Sequence, residues 1–134
     1  MEAKGFPREG GPTGVMLVEH DQGRQYVRAM DAAVEAASQG DVGAVKEFAE
    51  NAQQFIQLLR AHIEKEDHCL FSMANKAFSE PEQGDLLVKF EQVEREEGGT
   101  DTAAKYLKIA DDLAARYEVD PDRERPTGES GCQR

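Results

Sequence analysis

An all-α fold, an antiparallel up-down four-helix bundle with flexible N- and C-terminal tails, is predicted by three features of the 134-residue sequence. Apolar residues recur at three- and four-residue spacing over four segments, which is the period of one helix face. No segment alternates apolar and polar residues with period two, so no strand is expected. The segments are joined by short turns carrying Gly or capping residues, and short connections make successive helices antiparallel neighbours.

The first predicted helix runs from about Thr13 to Ser38 and stops at Gly40, with a stripe of Leu17, His20, Arg24, Val27, Met30 and Val34. The second opens with Asp41 as N-cap and continues to about Phe78. Its stripe is Val45, Phe48, Ala52, Phe55, Leu59, His62, Glu66, Cys69 and Met73. Ser79 and Glu82 form a capping-box pattern, and Pro81 suits a first helical turn, so the third helix opens there. It carries Leu87, Phe90, Glu94 and Glu97 on one face and ends at Gly98-Gly99. Thr100 or Asp101 caps the fourth, which turns Ala103, Tyr106, Ala110, Leu113 and Tyr117 inward. Residues 1–12 and 119–134 mix Gly, Pro and charge without apolar periodicity, and read as tails flanking a single domain over 13–118.

Composition removes several classes of function. There are 27 acidic against 16 basic residues, for a formal charge of −11, which argues against nucleic acid or an anionic membrane as partner. Both tails are close to neutral, so the negative charge belongs to the helices, where most of it solvates the surface. Three histidines exclude any site built from four or five imidazoles. Two cysteines far apart, Cys69 and Cys132, offer no zinc spacing and no disulfide framework, which suits a cytoplasmic location. No apolar run is long enough for a signal peptide or a membrane span. There is no glycine-rich phosphate loop and no Ser/His/Asp order.

Polar residues in the apolar stripes carry the functional signal. His62 and Glu66 are four apart on the core face of the second helix, and His20 interrupts the first stripe. Burying an imidazole and a carboxylate without partners costs several kcal/mol, so they must meet each other, other polar groups or a metal. Residues equidistant from an antiparallel turn share a level. A turn near residue 40 sets His20 level with about residue 60, and a turn near residue 79 sets Glu66 and His62 level with about residues 92 and 96, bracketing Glu94 and Glu97. Imidazole with carboxylate suits iron, manganese or zinc, and a bridging carboxylate lets two metals share one core. A buried hydrogen-bonded network without metal is the other arrangement compatible with these residues. His68 turns about 200° from Glu66 and should face outward. Cys69 reads as a small buried apolar group, Cys132 as an oxidisable tail residue, and Met16, Met30 and Met73 as core filling.

These segments also carry a resemblance. GVMLVEHDQGR around His20 and LLRAHIEKEDHCLFSMA around His62 and Glu66 resemble the first two helices of hemerythrin-like (HHE cation-binding) domains. FEQVEREEGGTDTAAKYLKIADDLAARY resembles their third and fourth, so the similarity spans about residues 13–118. It implies a four-helix bundle around a non-haem di-iron centre that binds or senses O2, NO or iron. His20, His62 and Glu66 match ligands, and Glu94 or Glu97 matches the carboxylate of the third helix. Two departures stand out: Ala103 and Ala104 occupy positions where the family has a His and commonly an acid, and Ser72 replaces a frequent Pro. The alternatives are then a carboxylate-rich di-metal site, a single-metal site on His20, His62 and Glu66, or a bundle without metal. Three functions stay open: a di-iron or single-metal protein that binds or senses its ligand, a carboxylate-rich di-iron oxidase or peroxide- or NO-handling enzyme, and a metal-free helical interaction module. Oligomeric state stays open.

Overall fold

A computed structural model describes residues 1–97 and 101–119, with Glu97 in its backbone only. Four helices follow one another in the expected order, and no strand occurs among the described residues. Helix α1 is Gly11–Ser38, with a proline in its first turn. The second helix is continuous but not uniform: α2 Val42–Lys65 passes through a π-helical turn, Glu66–Leu70, into α3 Phe71–Ala77. Helices α4 Glu80–Glu97 and α5 Thr102–Arg116 follow. Before α1, the segment expected to be a tail contains a short 3-10 turn, Glu2–Lys4. The predicted tail 119–134, with Cys132, lies outside the described residues beyond Val119. No described helix is long and apolar enough to cross a membrane.

The capping chemistry sets these boundaries. Gly40 adopts φ +88°, a left-handed conformation that glycine takes without steric cost, and the chain reverses there. Asp41 then starts α2 by accepting a hydrogen bond from Ala44 N through Oδ1 at 2.9 Å. At α4, Ser79 N donates to Glu82 Oε2 at 2.9 Å and Ser79 Oγ donates to the same oxygen at 2.8 Å. Asp101 precedes α5 but its side chain makes no capping bond.

The chain divides into two units, one comprising Met1–Ala77 and the other beginning at Phe78. In the first, α1 and α2 form an antiparallel hairpin. Gly23 faces Phe55 and Leu58, whereas Glu19 and His20, one turn earlier in α1, reach His62 and Lys65, later in α2. The missing Cβ of Gly23 matters here, because one placed there would stand 3.4 Å from the Phe55 ring.

The face that α1 turns to α2 differs from the predicted stripe by about one residue, or about 100°. Met16, Gly23 and Ala33 are buried, with Glu19, Tyr26 and Met30 half-buried between them. His20, Arg24, Val27 and Val34 of the predicted stripe are exposed. On the second helix the predicted stripe largely holds: Ala52, Phe55, His62, Glu66, Cys69 and Met73 are covered, joined by Leu58, while Val45, Phe48 and Leu59 are exposed. Gly23 and Ala33 alternate with larger residues along this face of α1, and the absent side chain of Gly23 makes room for Phe55 and Leu58. The larger residues border an open groove beside that face.

In the second unit the expected inward positions Leu87, Phe90, Tyr106, Leu113 and Tyr117 are exposed. The amphipathic patterning of α4 and α5 is therefore present in sequence, but the described residues give these stripes no covering layer.

Candidate metal centre

His62 is the one buried polar residue among those described, 6% exposed. It sits near the C-terminal end of α2, one turn before the helix widens into the π segment. All of its polar neighbours come from the two helices of the hairpin or from that segment. His20 Nε2 lies 3.0 Å from His62 Nε2, with ring centroids 4.6 Å apart and the rings tilted by 54°. Glu66 Oε1 lies 3.3 Å from the same His62 nitrogen. His20 is exposed rather than buried as its stripe suggested, because it stands at the groove edge of α1.

A residue that the periodicity did not single out completes the arrangement. Glu19 Oε2 lies 2.9 Å from His62 Nδ1, on the opposite edge of the ring, and its Oε1 accepts from Lys65 Nζ. Glu19 is 14% exposed at its side chain. Burial works to raise its pKa, but the hydrogen bonds from Lys65 and His62 together outweigh burial and leave it below the ordinary carboxylate value. The adjacent Asp21 is also depressed, here by an exposed ion pair with Arg24 at 2.5 Å. The available sequence signal for Glu19 was its place beside His20 and at the level of the second helix's His62; its wrong phase for the apolar stripe concealed it.

The donor atoms fit a metal ion. His20, His62 and Glu66 each offer one atom, all within 4.8 Å of one another. Two donors about 2.1 Å from one ion stand about 3.0 Å apart at a right angle and about 3.4 Å apart at a tetrahedral one. The two short separations, 3.0 and 3.3 Å, fall in that interval. The two ring nitrogens of His62 face different partners: Nδ1 faces the Glu19 carboxylate, and Nε2 faces both His20 Nε2 and Glu66 Oε1.

The other sequence-predicted ligands lie on α4. Glu94 is exposed on α4 in the second unit, and the side chain of Glu97 lies outside the described residues. His68 is exposed, as its turn away from Glu66 predicts. Cys69 is half-buried, and Cys132 lies outside the described residues.

Beside the donors is an apolar groove of about 390 Å³, walled by Val27, Phe55, Leu58 and Leu59 and reaching His20 and His62. Arg24 and Arg28 line it too, both exposed. The groove gives the two imidazoles a largely hydrocarbon surrounding on one side, where a bound cation attracts its ligands more strongly than in water.

Residues 1–74, which include His20, His62, Glu66 and Glu19, match the hemerythrin HHE cation binding domain. The match stops before α4, so it does not extend to the resemblance drawn for the third and fourth helices. No curated protein and no solved structure matches the chain. With more than half of its length matched and the two-histidine, one-carboxylate cluster inside the matched part, this chain belongs to the hemerythrin HHE cation-binding domain family.

Proposed function

We propose that this protein binds non-haem iron at His20, His62 and Glu66 and uses it to bind or sense a small diatomic molecule. The observation that carries the reading is the convergence of two imidazole nitrogens and one carboxylate oxygen within 4.8 Å. Two histidines and one carboxylate are the donor set associated with non-haem Fe(II) that keeps open positions. When bound, iron supplies an open coordination position at which O2 or NO can attach. The chain's own contribution is to fix the three donors: α1 presents His20, the last turns of α2 present His62, and the π turn begins at Glu66.

One iron per chain is the stoichiometry this donor set supports, because Ala103 supplies no ligand. A second ion would need Glu94 or Glu97, whose support is their phase with Leu87 and Phe90 on α4. In the same reading the four helices form an antiparallel up-down bundle, a reading supported by the apolar three- and four-residue spacing on each of them.

The test is iron content per chain after expression with iron, with visible and near-ultraviolet spectra in both redox states. One iron, lost in His62→Ala, is expected. Two irons with oxo-bridge bands would replace the single-ion site by a di-iron one. No retained metal, or full metal content in His62→Ala, overturns the assignment.

A further inference from the structure

Glu19 approaches His62 through Nδ1, at 2.9 Å, and not through the Nε2 that His20 and Glu66 share. A carboxylate against one ring nitrogen selects the tautomer and points the other nitrogen's lone pair away from itself. Here the freed nitrogen is Nε2, which faces His20 and Glu66 at 3.0 and 3.3 Å. The carboxylate is held in turn. Its second oxygen accepts from Lys65 Nζ, and Lys65 is the last residue of α2 before the π turn that begins at Glu66. Glu19, Lys65 and His62 therefore tie α1 to α2 one residue ahead of the third donor.

We propose that Glu19, anchored by Lys65, is a positioning residue that holds His62 with its proton on Nδ1 and its Nε2 lone pair in the cleft between His20 and Glu66. This rests on the metal-binding reading for its purpose, but the tautomer is a property of the metal-free chain. A carboxylate that served only to join the helices would leave the protonation site of His62 indifferent to its removal.

The metal-free protein, labelled with 15N in its histidines, provides the test. His62 is expected to show a protonated Nδ1 and an unprotonated Nε2 in the wild type. Glu19→Leu is expected to lose that signature, giving averaged tautomers, and to weaken Co(II) binding by about 10–100-fold. Helix content by circular dichroism is read alongside. Lys65→Met gives an independent variant, since Lys65 is 39% exposed and its loss frees Glu19 without emptying the interior. It is expected to weaken Co(II) binding by a smaller factor. A wild-type His62 protonated on Nε2 overturns the proposal, as does a folded Glu19→Leu protein with unchanged tautomer and affinity. If Glu19→Leu fails to fold, the wild-type spectrum and Lys65→Met decide in its place. If the wild type takes up no Co(II), the metal-binding reading fails, while the tautomer still tests the role of Glu19.

Discussion

His62 Nδ1 and Glu19 Oε2 lie 2.9 Å apart across the α1–α2 interface, on the side of the ring remote from His20. The pair has two consequences. It satisfies a buried imidazole nitrogen that would otherwise cost about 1–3 kcal/mol to leave unpaired. It also leaves Nε2 of the same ring facing a second imidazole at 3.0 Å and a carboxylate at 3.3 Å.

Metal should therefore stabilise the native chain, because the three donors converge only when α1 and α2 are paired. At a free metal concentration of about 100 times Kd the gain is about 2.7 kcal/mol. Thermal unfolding with and without Fe(II) under anaerobic conditions measures it. The gain should vanish in His20→Ala and persist in His68→Ala, since His68 is exposed and outside the donor group.

Acid should weaken the metal-free hairpin through Glu19. Its folded-state pKa lies below the ordinary 4.5, so its contribution is fully present above that value and is lost as pH falls through the depressed one. Urea midpoints measured from about pH 7 down to about pH 3 should show the wild type's advantage over Glu19→Gln shrinking in acid. A gap that stays constant over this range would contradict the ion-paired geometry.

The two N-caps should differ in weight. Asp41→Ala removes the bond to Ala44 N and should cost about 1 kcal/mol. Asp101 makes no such bond, so Asp101→Ala should stay within about 0.5 kcal/mol of the wild type. Denaturant unfolding of both variants under one set of conditions provides the comparison.

Two helical glycines should respond in opposite directions to alanine. Gly84 on α4 has nothing within 4 Å of where a Cβ would stand, so Gly84→Ala should raise stability by about 0.5–1 kcal/mol through helix propensity. At Gly14 a Cβ would meet the backbone of Arg8 at 3.0 Å and of Glu9 at 3.3 Å. Gly14→Ala should therefore displace the segment before α1, and overpacking of about 1–3 kcal/mol should exceed the propensity gain. Calorimetric unfolding of the two variants reads the sign.

Much of the helix layout was legible before any coordinates. Asp41, Ser79 with Glu82, and Gly40 mark boundaries because caps and left-handed glycines are local chemistry, decided within a few residues. The pairing of His20 with His62 was legible too, since an antiparallel hairpin with a known turn makes level a matter of counting. The π turn at Glu66–Leu70 was not, because no residue in EDHCL breaks the 3.6-residue period.

Residue types and spacing thus establish an all-helical chain, where its helices begin, and a His20–His62–Glu66 meeting point. Which side of α1 faces α2 depended on the packing of the pair. Periodicity weighs bulky apolar residues most, whereas the buried positions of α1 include Gly23 and Ala33, and Gly23 leaves room for the Phe55 and Leu58 side chains. That rotation carried Glu19 into the interface and His20 to its edge. A residue's neighbours across a helix pair are set by how closely two backbones can come together, and a single sequence's apolar stripe does not contain that distance.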